Sequence, residues 1–263
     1  MLDIKVILPL HKYDETVKPL LTRAIESFRK NGYPDDSFVI VSDANVSEKV
    51  KNDKDLKLTN NFISAPEGLS TKLPSLINYA VKTIKSKYFM VLEYDDYLTE
   101  FWLNKAEEYI NSETFNSSVY MPLTEITDFQ NSEGGTIGYA NEAPWASSFS
   151  DEIGFIDFEC LQNYMEFCTS GAIFKKDDFE ECGGLKESME LTYWYELLLR
   201  MTNLGKRVFV VPKVGYVHTV NRPGSIISEY SKNMTEDEIN WWTDLAKKEY
   251  FFKTDRNKKY EEE

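Results

Sequence analysis

No stretch of the 263 residues approaches the roughly 20 consecutive apolar residues of a membrane-spanning helix. The opening MLDIKVILPLHKYDE also lacks a secretion-signal layout, so no membrane span and a soluble, cytoplasmic protein are expected. Cysteine is scarce. Cys160, Cys168 and Cys182 are too far apart for a C-x-x-C metal or redox motif, and an odd number without a secretion signal argues against a disulfide framework. Ordinary buried thiols are expected instead. Histidine is scarcer still, with His11 and His218 alone. Basic residues are outnumbered, 30 against 44 acidic, for a net charge of −14 and a pI near 4.8. Broad electrostatic binding to nucleic acid needs a basic surface, so a nucleic-acid partner is not expected. The same charge gives no help in holding a diphosphate, for which a bound cation would be useful. No P-loop, G-x-G-x-x-G or G-x-S-x-G motif occurs, which argues against an ATPase, a dehydrogenase or an α/β-hydrolase. Internal repeats and low-complexity tracts are also missing.

What is present suits a globular core: 42% hydrophobic and 14% aromatic residues. The first third alternates short apolar runs with segments of helical period. Residues 4–8, 38–41, 62–64 and 88–92 read as strands, and residues 17–30 and 73–85 as helices. Pro74 fits a first helical turn, and Asn31-Gly32 supplies a stop. Strands separated by helices imply parallel pairing, with ligands at the strands' carboxyl ends. Beyond residue 101 the spacing predicts a helix over 101–111, a strand over 119–125 and a hairpin tip or loop over 131–145. A helix over 158–167, a strand over 170–175, a helix over 193–204 and a strand over 207–211 follow. Thr235-Glu236-Asp237-Glu238 is a capping box for a last helix to about residue 252, ahead of a charged tail expected to fray.

The chemistry concentrates in residues 89–96, where the apolar strand Phe89-Met90-Val91-Leu92 runs into Glu93, Asp95 and Asp96. In extended chain, residues i and i+2 share a side, so Glu93 and Asp95 are expected to project together while Asp96 faces away or caps the next helix. Two hard oxygen ligands there suit Mg²⁺ or Mn²⁺ shared with water and a substrate diphosphate. Capping or solvation is the alternative use. Asp35-Asp36 and Asp177-Asp178 fall in a turn and at a helix start, where aspartate is favoured anyway.

With this element the sequence resembles the family-two glycosyltransferases of GT-A fold. Ile7-Leu8-Pro9-Leu10-His11 looks like their first strand and loop. Val39-Ile40-Val41-Ser42-Asp43-Ala44-Asn45 looks like the second, and Gly68-Leu69-Ser70 like the start of the third. Leu92-Glu93-Tyr94-Asp95-Asp96 looks like the acidic fourth. Ser170 to Lys176, the Cys182-Gly183-Gly184-Leu185 turn, residues 197–200 and 205–212, and the His218 to Ser225 loop continue the similarity across residues 4–226. The resemblance implies an α/β fold with a Rossmann-like, mostly parallel sheet. A donor-binding half over 1–100, an acceptor half over 101–230 and a C-terminal helix and tail over 231–263 follow from it. It implies a donor such as a UDP-, dTDP- or GDP-sugar, a carbohydrate or glycoconjugate acceptor, and Mn²⁺ or Mg²⁺. Pro9, His11, Asp43, Lys72, Tyr94 and Arg222 are the expected donor contacts. Glu93, Asp95 and His218 are the expected metal ligands. Three of these have a plainer alternative: Asp43 as a turn residue, Lys72 as a solvated lysine, His218 as a strand-end cap.

Inverting transfer needs a base for the acceptor hydroxyl proton. Counted back from Arg200, the family's acidic pair falls on Tyr193-Trp194, so the expected base is absent. Glu190 and Glu196 are the nearest carboxylates. Glu196 is also spaced for an i,i+4 ion pair with Arg200, and Tyr193 and Trp194 suit either a sugar platform or core packing. The expected activity is an inverting, metal-dependent glycosyltransferase. A catalytically silent nucleotide-sugar or carbohydrate-binding module is the alternative, and a nucleotidyltransferase ranks behind both because residues 11–16 hold no Gly-rich phosphate loop.

Overall fold

A computed structural model describes residues 1–58, 61–66, 68–69, 72–130, 135–225 and 233–261, with side chains up to Lys248. Ser70 and residues 131–134 of the expected hairpin tip lie outside the described residues. Ten strands form one sheet. They are β1 (Ile4–Pro9), β2 (Phe38–Ser42), β3 (Phe62–Ser64), β4 (Tyr88–Val91), β5 (Tyr97–Leu98), β6 (Val119–Asp128), β7 (Thr136–Ala140), β8 (Phe155–Ile156), β9 (Ile173–Lys175) and β10 (Val208–Val220). The order is β3-β2-β1-β4-β9-β6-β10-β5, with β7 on β6 and β8 on β10. The β3-β2-β1-β4 block and the β6–β10 pair are parallel, and β9 joins them antiparallel to both neighbours.

The helices are α1 (Lys18–Lys30), α2 (Ala44–Asn52), α3 (Leu73–Thr83), α4 (Trp102–Ile110), α5 (Phe158–Asn163), α6 (Lys176–Glu181), α7 (Tyr193–Asn203) and α8 (Glu236–Glu261). The two faces of the sheet separate by the period-two rule. Val6 and Leu8 of β1, Ile40 of β2 and Met90 of β4 meet Leu21, Ile25 and Phe28 of α1 and Trp102 of α4. Ile7, Val41, Phe89 and Val91 point the other way, onto Leu76, Ile77 and Ala80 of α3, Phe179 of α6 and Leu197 to Leu199 of α7. Strands buried on both faces read as continuous apolar runs, which is why β1, β2 and β4 were visible in the sequence.

Three differences from the sequence expectations have clear causes. The segment after Ser42 forms helix α2, capped by the Asp43 carboxylate accepting from Val46 N–H. The last helix, expected to end near residue 252, runs on to Glu261 as α8 from its capping box, where Thr235 and Glu238 exchange hydrogen bonds. Most consequential is β10. It does not stop at Val211 but crosses Pro212-Lys213 in a bulge and continues to Val220, with register shifts against β6 on either side of Val214. A bulge is where a proline inside a sheet is tolerated. Gly215 completes the passage, since a Cβ there would lie 2.3 Å from the Trp102 ring. Among the described residues no helix is long and apolar enough to cross a membrane.

Candidate active site

β4 delivers its carboxylates through a turn. Leu92 N–H still bonds Ile7 C=O, after which Asp96 N–H folds back to Glu93 C=O at 3.2 Å. The chain is therefore not extended from Glu93 to Asp96, and the expectation that Asp96 faces away is corrected: the turn swings it inward. Asp96 is fully buried. Its Oδ1 accepts from Thr219 N–H at 2.8 Å and its Oδ2 lies 2.9 Å from His218 Nδ1. Both partners come from β10 beyond the bulge, so His218 sits on a strand and not in a loop.

Asp95 turns to another cation. Its Oδ2 accepts from Arg222 Nε at 2.6 Å, while Arg222 Nη2 donates to Tyr94 Oη at 2.8 Å and the guanidinium lies over the Tyr94 ring at 5.0 Å. Asn221, at φ 60°, makes the left-handed step that returns Arg222 to the site. Beneath the turn, Arg23 of α1 donates to the Asp95 carbonyl and to Thr219 Oγ1 at 3.3 Å, and rests on the Tyr97 ring at 4.6 Å.

Glu93 is the group left over. No described residue donates to its carboxylate, although its N–H donates to Tyr216 Oη at 3.2 Å. Removal from bulk water, with the negative charges of Asp96 and Asp95 adding to it, pushes its carboxyl up to about 8. His218 is raised as well, for a different reason. Burial opposes its imidazolium, but the hydrogen bond and charge of Asp96 outweigh burial and hold it at about 10. One proton is thus kept between Asp96 Oδ2 and His218 Nδ1. Among the described residues, no three His, Cys, Asp or Glu side chains converge as a ready-made metal cage. What does fit a divalent cation is narrower: Glu93 without a donor, beside an Asp95 with one oxygen engaged. With Nδ1 held by the Asp96 carboxylate, the arrangement that also orients metal-ligating histidines, His218 acts through its other nitrogen: neutral it suits a metal, cationic it suits a phosphate.

The other expected donor contacts lie around the carboxyl ends of β1 and β2. Pro9 ends β1, and the exposed His11 ring stands edge-on to Tyr94 at 6.1 Å. Asp43 caps α2 through one oxygen, leaving the other. Lys72 is exposed at the start of α3, with no side-chain capping bond. Glu196 stands apart from this group. It is fully buried, with Arg200 Nε 3.0 Å from Oε1, Arg200 Nη2 2.7 Å from Oε2 and Lys186 Nζ 2.9 Å from Oε1. A base needs a free, accessible lone pair, so of its two expected uses the ion pair is the one the geometry supports. Trp194 stacks on Phe174 at 5.3 Å in the core, which leaves it no open platform face on that side. Glu190 is exposed in the segment before α7.

Tyr216, Thr219 and Arg23 were not singled out in the sequence. The run Val214 to Val220 is rich in β-branched and aromatic residues and could have been read as a strand carrying Tyr216 and His218 on one side. Arg23 left no comparable signal.

No protein-family model matches the chain, and no curated protein matches it. Among solved structures it is similar to Staphylococcus aureus TarS. The 1–349 fragment in complex with UDP-GlcNAc has 14% identity and a TM-score of 0.65, covering 93% of this chain and 65% of that one. The fragment with UDP has 16% identity and a TM-score of 0.59, covering 83% and 61%. TarS itself has 16% identity and a TM-score of 0.55, covering 83% of this chain and 37% of that one. The chain therefore spans less than two thirds of the length of these structures, and at such identity the likeness establishes the fold. That fold is of GT-A type, a mostly parallel sheet between helical layers with the acidic turn at the carboxyl end of β4.

Proposed function

We propose that this chain is a glycosyltransferase that uses a divalent cation to move a sugar from a nucleoside diphosphate donor to an acceptor hydroxyl, with inversion. The observation that carries this reading is the Glu93 carboxylate, held near two other carboxylates with no described donor and pushed up to about 8. A partly buried acidic group without a counter-charge is costly, and a cation brought in with the donor would relieve it. Glu93 and Asp95 would hold Mn²⁺ or Mg²⁺, which when bound offsets charge on the departing diphosphate. The His218 imidazolium and the Arg222 guanidinium add positive charge on the same side. Pro9, His11 and the second oxygen of Asp43 would border the nucleobase, Tyr94 would floor the pocket beneath Arg222, and Lys72 would reach the phosphates. The UDP and UDP-GlcNAc complexes of TarS favour a UDP-sugar over a dTDP- or GDP-sugar as the donor to try first. Glu190, exposed and without a described partner, would take the proton of a carbohydrate or glycoconjugate hydroxyl as the sugar carbon passes through an oxocarbenium-like state.

Calorimetry of UDP with and without Mn²⁺, paired with turnover over a panel of nucleotide sugars, tests this. Mn²⁺-dependent binding that vanishes in Asp95→Ala is expected, together with donor turnover by the unaltered chain. Absence of both overturns the reading. Binding without turnover, with varied acceptors supplied, would favour the silent binding module, for which Tyr193-Trp194 and the ion-paired Glu196 are the specific observations.

A further inference from the structure

Thr192 enters α7 at φ 55° and ψ 14°. A β-branched side chain in this left-handed region crowds its own backbone, and the conformation persists only where the surroundings impose it. Among the described non-glycine residues with positive φ, the others are Lys57, Asn141 and Asn221, so Thr192 alone is β-branched. Glycine or asparagine would accept the same backbone with less strain. What threonine adds is a hydroxyl, and that hydroxyl has a specific partner. Thr192 Oγ1 donates to the Trp242 carbonyl of α8 at 3.0 Å, and Thr192 C=O accepts from Glu196 N–H at 2.9 Å. The α8 end of this tether is firm, because Trp242 packs on the core and Ala246 is buried.

The chain just upstream is anchored too. Glu187 accepts from Ser75 Oγ at 3.0 Å and Asn78 Nδ2 at 3.1 Å on α3, and Met189 is buried with its N–H on Lys186 C=O at 3.1 Å. Between the Met189 and Thr192 anchors lie only Glu190 and Leu191, and Glu190 is exposed. We propose that Thr192 is a positioning residue: its hydroxyl, held by the Trp242 carbonyl, fixes the short span that carries Glu190 and aims that carboxylate for proton transfer. The inference rests on the glycosyltransferase reading for Glu190's role, but the tether itself can be measured without turnover.

Three full-length variants separate the possibilities. Thr192→Val keeps the shape and loses the hydroxyl; Thr192→Ser keeps the hydroxyl and loses the branch; Thr192→Gly removes both the strain and the hydroxyl and so protects folding. Misplacing a catalytic group by about 1 Å costs on the order of 100-fold. A kcat loss of at least roughly tenfold is therefore expected for the valine and glycine variants, with KM for the UDP-sugar and Kd for UDP unchanged. The serine variant should stay within about twofold of the unaltered chain, by the same reasoning. Amide exchange over residues 186–192 should quicken in the valine and glycine variants and not in the serine variant. Full turnover in Thr192→Gly, or equal losses in the serine and valine variants, overturns the proposal. If even the unaltered chain turns over no donor, the glycosyltransferase reading is what fails. Exchange then decides the tether alone: quickening in Thr192→Val supports it, and unchanged exchange overturns it.

Discussion

Among the described residues two acidic centres are built on opposite plans. At the start of α7 a single carboxylate, Glu196, meets two cations, Arg200 and Lys186, and Arg200 Nη2 also donates to the Gly184 carbonyl at 2.7 Å. Every charge there has a partner. At the end of β4, two of three carboxylates are ion-paired, Asp95 with Arg222 and Asp96 with His218, while no described residue donates to the Glu93 carboxylate. A sequence shows both as acidic residues near basic ones. The difference between them is a count of partners, and it separates a group that fastens the fold from a group that waits for a ligand.

The largest effect should come from breaking the satisfied centre. Glu196→Ala strands Arg200 and Lys186 and unties the Gly183-Gly184 turn. Removing one partner of a buried pair costs about 3–5 kcal/mol, a loss readable in urea or thermal unfolding. The folded fraction should still bind UDP and Mn²⁺ as before. Lost binding at modest cost in stability would instead move Glu196 into the site and erase the contrast.

Glu93→Gln should do the reverse. The folded Glu93 carboxyl titrates near 8, well above the ordinary 4.5, so between those values the folded state holds a proton that the unfolded state has released. Its contribution to stability is fully present below about 4.5 and is lost as pH rises through about 8. His218, raised from 6.5 to about 10, adds a decline in the same direction over that higher window. In the metal-free protein, the urea midpoint should therefore fall from pH 5 upward. Glu93→Gln should flatten the fall between 5 and 8, keep the His218 part above it, and exceed the unaltered chain in stability near pH 9. Mn²⁺ with UDP should stabilise the unaltered chain and not the variant. A variant that is less stable at pH 9 would mean that Glu93 is compensated after all.

Much of this was legible in the sequence, and unevenly so. The strands β1, β2 and β4 and the helices α1 and α3 were visible because doubly buried strands and amphipathic helices write their burial into residue order. The acidic cluster was visible as well. Its internal arrangement was not, because the turn at Glu93 to Asp96 breaks the alternation on which the Glu93–Asp95 pairing relied. Pro212 hid the second half of β10, and with it the strand that brings Tyr216, His218 and Thr219 to the acidic turn. Glu196 was ambiguous because its spacing from Arg200 is the same for a base as for an ion pair; only the burial of both oxygens distinguishes them.

The smallest and sharpest test lies inside the unmatched centre. The Tyr216 hydroxyl accepts from Glu93 N–H at 3.2 Å, so it supports the acidic turn without carrying charge. Gly171 makes room for its ring, since a Cβ there would fall 2.4 Å from Tyr216 Cδ2. Tyr216→Phe keeps the ring and leaves one backbone N–H short of a partner. A lost neutral hydrogen bond of this kind is worth about 1 kcal/mol, so unfolding should move by that amount and Mn²⁺-dependent UDP binding should weaken about fivefold at most. Because Asp96 keeps Thr219 N–H and His218, the ion pair should survive. A loss as complete as that expected for Asp95→Ala would make Tyr216 part of the reacting centre. The line between the two acidic centres would then be drawn by hydroxyls as well as by charge.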